Sequence, residues 1–413
     1  MVQTGSREMT KMKVTITPSK ARGTVQAPPS KSMAHRMLMG AALADGISIV
    51  NNVDLSEDIK ATLGMLKALG GEYEIQEQAV KMKGVGGKKL TTDVVLDSKE
   101  SGSTLRFFIP LVLTGGGCAE FTGAKRLFER PLGIYEEICH AQGILFEKGE
   151  AGLKVNGQLQ ATHYKVKGNI SSQFITGLLF ALPLLYGDSV LEVLPPIESK
   201  AYIDMTLEAL ETFGIKIRQE ENIFYIAGNQ VYKAKNVLVE GDYSNAAFLD
   251  AFNLIGGNVY VEGLRADSLQ GDQIYKKYYD IMKDENPTMD ISECPDLGPI
   301  LMGMAAAGHG AHFTGTKRLK IKESDRGSVM AEELAKFGIK VDVMENEIIV
   351  YPGTLRKPQE VLSSHNDHRI AMTLTTLCTI TGGEIDGAES VKKSFPNYYD
   401  VIEGLGIQVT REM

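Results

Sequence analysis

Several short polar segments place basic side chains and hydroxyls at predicted helix starts. In PSKSMAHR (residues 29–36), Ser30 or Ser32 can cap a helix, Lys31 lies at its start and Arg36 lies one turn inside. Hydroxyls, free backbone amides, an ammonium and a guanidinium all bind phosphate well, although capping alone explains any single serine. We therefore predict anion binding here and at four further segments, which supply Gly102, Arg130, Ser171, Ser172, Gln173, Ser199 and Tyr202.

The second half of the chain instead places carboxylates beside cations. The carboxylates are Asp296 in ECPDLGP and Glu323 in KIKESDR, and the cations around them in sequence are Lys322, Arg326, Arg369 and Lys393. KIKESDR predicts a strand followed by a helix capped by Ser324 or Asp325, although a salt-bridged surface is the alternative for this run alone. Cations beside two carboxylates favour anionic substrates and general acid/base chemistry.

Other chemistries have weaker support in the sequence. No serine lies in a GxSxG motif, so a hydrolase nucleophile is not favoured. The cysteines are scattered without CxxC pairing, which predicts buried thiols in a reducing compartment, at Cys118, Cys139, Cys294 and Cys378. The HxxH pairs at 309–312 and 365–368 have no third ligand at a known spacing, so we expect no metal.

The strands and helices predicted around these residues recur along the chain. A helix ending in glycine and followed by an alternating strand occurs at LKALGGEYEI, CHAQGILFE, LETFGIKIR, LAKFGIKVDV and IEGLGIQV, with a degenerate copy at YDIMKDENPTMDI. An earlier strand and helix complete each copy. We predict six strand–helix–strand–helix–strand–strand units in an α/β chain, three in each of two domains. Equivalent helices would then start on the same side of a domain, where their N-termini attract anions.

Length and composition exclude several classes of protein. A chain of 413 residues is longer than a single core usually supports, so two domains are expected. With 44 basic and 52 acidic residues the net charge is −8, which argues against a nucleic-acid or membrane-surface binder. The N-terminus lacks the apolar core of a signal peptide, and the most apolar run, FITGLLFALPLLY, is too short to span a bilayer. We expect a cytoplasmic protein.

Nine motifs spread in order over nearly the full chain closely resemble those of the 5-enolpyruvylshikimate-3-phosphate synthase family: PSKSMAHR, SGSTLR, ERP, SSQF, SKAYID, PDLGP, KESDR, NDHRIAM and KSFP. The resemblance implies a two-lobed enolpyruvyl transferase fold of six βαβαββ repeats, three per lobe, with helix N-termini facing the interlobe cleft. It implies one lobe of residues 1–29 and 238–413 and another of 30–237. It also implies a monomer without metal or organic cofactor, which transfers the enolpyruvyl group of phosphoenolpyruvate to shikimate 3-phosphate and releases phosphate.

The resemblance also implies roles for individual residues. The shikimate 3-phosphate ligands would lie mainly in the 30–237 lobe and be Lys31, Ser32, Arg36, Ser171, Ser172, Ser199, Tyr202 and Lys322. Gln173 would lie between both substrates. The phosphoenolpyruvate subsite would comprise Gly102, Arg130, Arg326, Arg369 and Lys393, with a contact from Lys31. Asp296 would accept the proton of the attacking hydroxyl, and Glu323 or Lys31 would protonate the methylene carbon.

Two positions depart from the family pattern, because Glu100 and Arg318 both stand where relatives commonly have asparagine. Both departures bear on substrate affinity and on sensitivity to phosphoenolpyruvate mimics such as glyphosate. The alternative enzyme is an enolpyruvyl transferase acting on UDP-N-acetylglucosamine, which shares the fold but usually carries a reactive cysteine on a mobile loop. A two-lobed anion-binding protein without catalysis is the other alternative, and it would not need Asp296 and Glu323 among the cations.

Overall fold

The structure is a computed structural model, and it describes residues 11–86, 90, 93–283 and 286–412. The chain forms two compact units. The central unit comprises Pro28–Tyr243 and Gly263–Gln273, and the terminal unit comprises the described residues up to Ala27, Ser244–Glu262 and the described residues from Ile274 onward. Residues 1–10 of the predicted first lobe lie outside the described residues.

Strands and helices are interspersed along the chain. The strands are β1 (Lys13–Thr17), β2 (Arg22–Gln26), β3 (Ile47–Asn51), β4 (Glu72–Gln76), β5 (Ala79–Lys83), β6 (Val94–Asp97), β7 (Cys118–Thr122), β8 (Leu145–Lys148), β9 (Gly152–Asn156), β10 (His163–Lys167), β11 (Ser189–Leu194), β12 (Ile217–Glu220), β13 (Ile223–Ile226), β14 (Val237–Leu238), β15 (Asn258–Glu262), β16 (Thr288–Asp290), β17 (Ala311–Thr314), β18 (Val341–Val343), β19 (Glu347–Val350), β20 (Leu362–Ser363), β21 (Gly383–Asp386) and β22 (Gln408–Glu412). The α-helices are α1 (Lys31–Leu43), α2 (Glu57–Ala68), α3 (Gly102–Val112), α4 (Lys125–Glu129), α5 (Gly133–Ala141), α6 (Ser172–Ala181), α7 (Lys200–Thr212), α8 (Tyr243–Leu254), α9 (Tyr275–Ile281), α10 (Gly298–Ala307), α11 (Arg326–Lys336), α12 (His368–Thr381) and α13 (Tyr398–Gly404). Short 3₁₀ helices lie between them at Leu182–Leu184, Gly271–Ile274, Pro295–Leu297, Lys317–Ile321 and Ala388–Lys393.

Among the described residues, five sheets share one strand arrangement, as expected for a repeated chain. Their orders are β14-β3-β5-β4, β6-β7-β9-β8 and β10-β11-β13-β12 in the central unit, and β16-β17-β19-β18 and β20-β21-β1-β22 in the terminal unit. In each sheet the first two strands are parallel and the other neighbours antiparallel; for example, β6 pairs parallel with β7 and β7 antiparallel with β9. The predicted repeated α/β fold is confirmed.

The remaining sheet shows why one repeat is short. Within the described ranges it contains only β2 and β15, paired parallel with Val25 opposite Val261. Within the described residues it therefore lacks the two further antiparallel strands that each of the other five sheets carries. The helix starts at Tyr243 and Gly298 are closer in sequence than those of the other repeats for this reason.

Several helices lie in the interior of the two units. In α3 and α6 of the central unit, and in α10 and α12 of the terminal unit, nearly every described side chain is buried. Helices that are apolar on all sides belong in a core, and α3 packs on α6 as α10 packs on α12. Their first turns carry the polar residues singled out in the sequence, so the packed helix bodies hold those residues in place.

Two helix caps lie where the sequence predicts them. Ser30 caps α1 by accepting a hydrogen bond from the amide of Met33, and Asp325 caps α11 through the amide of Ser328. The strand predicted at the start of KIKESDR is wrong, because Lys317–Ile321 form a 3₁₀ helix. The alternation there is three residues long and also fits a tight turn that buries Leu319. Within the described ranges, no helix combines the length and hydropathy needed to cross a bilayer.

Candidate active site

The predicted residues fall into one cluster in each unit. The central cluster comprises Lys31, Ser32, Arg36, Gly102, Arg130, Ser171, Ser172, Gln173, Ser199 and Tyr202. The terminal cluster comprises Asp296, Lys322, Glu323, Arg326, Arg369 and Lys393. Most members of each cluster lie in the first turn of a helix or in the segment directly before it.

Arg36 is the buried centre of the central cluster. Its guanidinium donates to the carbonyl of Ser32 (2.6 Å), the carbonyl of Tyr202 (2.9 Å) and the hydroxyl of Thr206 (2.9 Å). Burial lowers the pKa of Arg36 to about 10, against a smaller opposing effect of Tyr202. Arg36 therefore joins the first turns of α1 and α7, which carry predicted anion-binding groups.

Lys31 has an ion-pair partner that the sequence did not predict. Its ammonium lies 2.8 Å from Oδ2 of Asp58, in the first turn of α2, and both side chains are largely buried. Asp58 is 27 residues away in sequence. An acidic residue in the first turn of a helix is common, because it interacts favourably with the helix dipole. The sequence therefore gives no sign that Asp58 also binds Lys31.

The first turns of α3 and α6 meet through Gln173. Arg106 donates to Oε1 of Gln173 (2.7 Å), and Nε2 of Gln173 donates to the hydroxyl of Ser103 (2.9 Å). Arg106 also donates to the carbonyl of Pro131 (3.0 Å), just before α5. These contacts fix the orientation of the Gln173 amide. Arg106 therefore positions both the Gln173 side chain and the segment before α5.

Gly102 and Arg130, predicted to share a subsite, are in contact. A Cβ atom built on Gly102 would lie 2.5 Å from Nη1 of Arg130, so only glycine lets the guanidinium approach the start of α3 this closely. Arg130 is 6% exposed. The backbone amides at the start of α3 and the guanidinium can therefore serve one anion together.

The predicted hydroxyl groups lie at the starts of α6 and α7. Ser171 caps α6 by accepting from the amide of Gln173, and Ser172 begins that helix. Ser199 precedes α7 with a φ of 55°, in the left-handed region that costs a non-glycine residue about 1–3 kcal/mol. The phenol of Tyr202, one turn on, donates to Asp272 (3.5 Å). Four polar side chains are thus presented by two neighbouring helix starts.

The terminal cluster is organised by Arg326, which is 1% exposed and contacts three carboxylates. Its guanidinium donates to Asp296 (2.8 Å), Glu323 (2.7 Å) and Asp367 (2.8 Å). Burial lowers the pKa of Arg326, but the three carboxylates outweigh burial and raise the pKa far above its usual range. The guanidinium is therefore permanently charged and fixes the spacing of the acids around it.

Asp296 is surrounded by cations. Its Oδ1 lies 3.0 Å from Nζ of Lys322, and its Oδ2 lies 3.4 Å from Nη2 of Arg369. Burial raises the pKa of Asp296, but attraction to Lys322, Arg369 and Arg326 outweighs it and places the pKa well below the usual range. Burial in turn lowers the pKa of Lys322 to about 8, against the opposing effect of Asp296. At neutral pH the cluster thus presents an ionised carboxylate beside an amine close to its titration point.

Asp367, inside the NDHR motif, is a further member of the terminal network that was not predicted from the sequence. Its side chain is fully buried, binds Arg326 and accepts from the hydroxyl of Ser324 (3.1 Å). It also caps α12 by accepting from the amide of Arg369 (2.9 Å). The signal available in sequence was an acid directly before a helix, which reads equally well as an ordinary N-cap.

Lys393 and Arg318 lie in the terminal unit, whereas Glu100 lies in the central unit. Lys393 donates to the carbonyl of Asn366 (2.6 Å). Arg318 lies in the terminal unit, donates to the carbonyl of Ser292 (3.5 Å) and contributes to the lowered pKa of Lys322. Glu100 directly precedes Ser101, which caps α3 in the central unit.

Comparison with known proteins shows the family. The family described as EPSP synthase (3-phosphoshikimate 1-carboxyvinyltransferase) matches residues 16–402. A protein of Clostridium kluyveri named 3-phosphoshikimate 1-carboxyvinyltransferase is 41% identical over 419 residues, covering 96% of this chain and 98% of the relative. A Clostridium perfringens protein of the same name is 39% identical over 420 residues, with 95% and 98% coverage. The structure of EPSP synthase from Acinetobacter baumannii aligns with a TM-score of 0.79 at 24% identity, covering 97% of this chain and 100% of that one.

The two-unit α/β fold and its polar helix starts are thus those of an enolpyruvyl transferase. More particularly, the chain belongs to the EPSP synthase family, and the predicted family, fold class and transferase class are confirmed. The UDP-N-acetylglucosamine enolpyruvyl transferase is not favoured. Three of the four cysteines, Cys139, Cys294 and Cys378, are buried, and burial raises the pKa of Cys139 to about 12, which disfavours a reactive thiolate there.

Proposed function

We propose that this chain transfers the enolpyruvyl (carboxyvinyl) group of phosphoenolpyruvate to the 5-hydroxyl of shikimate 3-phosphate, releasing inorganic phosphate. The proposal rests mainly on Asp296, which is an ionised carboxylate in contact with Lys322, Arg326 and Arg369 in a chain of the EPSP synthase family. The reaction needs a proton acceptor for a hydroxyl among groups that bind phosphate and carboxylate, and these residues supply both.

Shikimate 3-phosphate is bound mainly by the central cluster in this proposal. Its phosphate, carboxylate and hydroxyls would be held by Lys31, Ser32, Arg36, Ser171, Ser172, Ser199, Tyr202 and Lys322. Hydroxyls at two helix starts suit a phosphate, because free backbone amides point at the same anion. The hydrogen bonds of Arg36 to Ser32 and Tyr202 hold the contributing first turns in a fixed relation.

Phosphoenolpyruvate is bound by guanidinium and ammonium groups. The proposed ligands are Lys31, Gly102, Arg130, Arg326, Arg369 and Lys393, and Gln173 lies between the two substrates. Forked guanidinium groups bind carboxylate and phosphate oxygens in pairs, which fixes the orientation of a planar substrate. The close approach of Arg130 to Gly102 supports a shared role for these two residues.

The proton transfers follow from the carboxylates. As the 5-hydroxyl oxygen bonds to C2 of phosphoenolpyruvate, its proton passes to Asp296, and Glu323 or Lys31 delivers a proton to C3. The product is a tetrahedral ketal phosphate with a methyl group. Its C2–O bond to phosphate then breaks, a methyl proton is lost, and the carbon–carbon double bond of the enolpyruvyl ether re-forms.

The low pKa of Asp296 fits this sequence of steps. The three cations keep Asp296 ionised, so it is available as an acceptor at neutral pH. When anionic phosphoenolpyruvate binds the same cations, its negative charge offsets part of their positive charge, and they stabilise the ionised form of Asp296 less. The carboxylate then becomes a stronger base at the stage at which the hydroxyl attacks.

We further propose the setting in which the chain works. It acts as a cytoplasmic monomer in the shikimate pathway of aromatic amino-acid biosynthesis, on two small-molecule substrates. It needs no metal and no organic cofactor, because the protein side chains supply both the charge stabilisation and the proton transfers. It has no nucleic-acid or membrane partner. The two predicted lobes have different roles: most residues that bind shikimate 3-phosphate lie in 30–237, and the acid/base residues lie in 238–413.

Phosphate release tests the proposal. Purified protein is incubated with shikimate 3-phosphate and phosphoenolpyruvate together, with each alone, and with UDP-N-acetylglucosamine in place of shikimate 3-phosphate. We expect release only with the first pair. Release with UDP-N-acetylglucosamine would assign the chain to the other transferase, and binding of both substrates without release would indicate an anion-binding protein.

A further inference from the structure

Glu333, outside both clusters, is a fully buried carboxylate on α11. Both of its oxygens accept from the ammonium of Lys336 (2.8 and 3.0 Å), and Oε2 also accepts from the amide of Ser363 (3.1 Å). Nε2 of His365 lies 2.8 Å from Oε1. One carboxylate thus joins α11 to residues 363–367, the loop that leads from the last residue of β20 to α12.

The backbone of this loop is strained and needs contacts with neighbouring residues to keep its conformation. His365 and Asn366 have φ values of 47° and 55°, so two consecutive non-glycine residues lie in the left-handed region. Each costs about 1–3 kcal/mol and persists only where neighbouring contacts enforce it. The hydroxyls of Ser363 and Ser364 accept from the amides of His365 and Asn366, and Glu333 provides the buried anchor.

The loop in turn holds cations of the terminal cluster. The carbonyl of Asn366 accepts from Lys393, and Asp367 binds Arg326. The same Asp367 receives the amide of Arg369 at the start of α12. Three proposed phosphoenolpyruvate ligands therefore take their positions from one five-residue loop.

The donor types at this place also suit a metal, because oxygens of Glu332 and Glu333 lie within 4.8 Å of each other and of a His365 nitrogen. Lys336 already places a cation on both oxygens of Glu333. Glu332 is 4.0 Å from His365, and its side chain is 61% exposed. Repulsion from Lys336 disfavours a second cation, so the cluster serves to hold the loop.

We propose that Glu333 is a positioning residue for phosphoenolpyruvate. Its carboxylate holds Ser363 and His365, the loop holds Lys393, Arg326 and Arg369, and these three cations bind the substrate. This inference rests on the proposed function, which assigns those cations to phosphoenolpyruvate. Glu333 touches neither substrate and acts through the loop alone.

The test compares Glu333→Gln with Glu332→Gln, the adjacent exposed position on the same helix. Glutamine keeps the size of Glu333 but cannot bind Lys336, Ser363 and His365 in the same way. We expect KM for phosphoenolpyruvate to rise about tenfold in Glu333→Gln, as for loss of a buried charged hydrogen bond, with Kd for shikimate 3-phosphate within about twofold. Glu332→Gln should match the unchanged protein in both constants.

Two further variants separate a failure of the positioning role from a failure of the proposed function. His365→Asn removes the imidazole while keeping a residue that tolerates a left-handed backbone, and it should raise the same KM by a smaller factor even if Glu333→Gln fails to fold. Lys393→Met tests the proposed function itself. An unchanged KM in Lys393→Met would overturn the substrate assignment. A raised KM there, with Glu333→Gln and His365→Asn unchanged or with both substrates weakened equally, would overturn the positioning role.

Discussion

The buried guanidinium groups at the centres of the two clusters have different partners, whereas Lys31 of the central cluster is itself paired with a carboxylate, Asp58. In the central cluster, Arg36 donates to backbone carbonyls and hydroxyls, all of them neutral. In the terminal cluster, Arg326 contacts three carboxylates, and Asp296 contacts three cations. Neutral acceptors leave the positive charge available to an incoming anion, whereas carboxylates compete with it. The comparison indicates that the central cluster is built for binding and the terminal cluster for proton transfer.

Glu323→Gln tests the proton-transfer side of this comparison and has the largest expected effect. Glutamine retains an oxygen that can accept from Arg326 but cannot deliver a proton. We expect kcat to fall about 10²- to 10⁴-fold, the usual size of a general acid/base contribution, measured as phosphate release. Glu345→Gln, at an exposed position of the same unit, is the control. If Lys31→Met lowers kcat and Glu323→Gln does not, Lys31 is the donor instead.

Arg326→Met tests whether the terminal network is structurally coupled. The change leaves Asp367, which is fully buried, without its guanidinium. Breaking a buried ion pair in this way should lower the free energy of unfolding by about 3–5 kcal/mol, measured by urea denaturation. Lys340→Met removes an exposed ion pair with Asp342 and should leave stability nearly unchanged. Equal effects of the two variants would mean that Arg326 has no special structural role.

Arg36→Ala tests the binding side. Loss of the guanidinium removes its charge and frees the first turns of α1 and α7 from each other. We expect Kd for shikimate 3-phosphate to rise about 10- to 100-fold, with a much smaller change in kcat, by calorimetry and steady-state kinetics. Arg218→Ala, on the exposed surface of the same unit, is the control. A loss in kcat alone would remove the distinction between the clusters.

Lys322 provides a pH-dependent test with the smallest effect. Its pKa of about 8 means that the charged form, which binds anions, is depleted as pH rises from 7 to 9. The phosphate monoester is already a dianion in this range, so its charge stays nearly constant. Affinity for shikimate 3-phosphate should fall by up to about tenfold over these two pH units. Lys322→Gln should bind weakly at both pH values, and an unchanged slope in that variant would assign the titration to another group.

Much of this organisation follows from the sequence. Repeated glycine-ended helices predicted the α/β repeats, and polar helix starts predicted the residues that form each cluster, because N-caps and hydrophobic periodicity are local signals. The partners within each cluster were harder to predict. Asp58 meets Lys31 and Asp367 meets Arg326 only through packing of separate helices. The same holds for the glycine at 102, whose role depends on where the Arg130 guanidinium lies.

The most direct test of the account is the effect of Asp296→Asn on turnover and on binding, measured on the same preparation. Asparagine keeps the shape and can still accept from Arg326, but it cannot take up the hydroxyl proton. We predict that phosphate release with both substrates falls at least about 100-fold, while Kd for shikimate 3-phosphate by calorimetry stays within about threefold. Near-normal turnover, or a Kd that rises in proportion to the loss of turnover, would contradict a terminal cluster built for proton transfer.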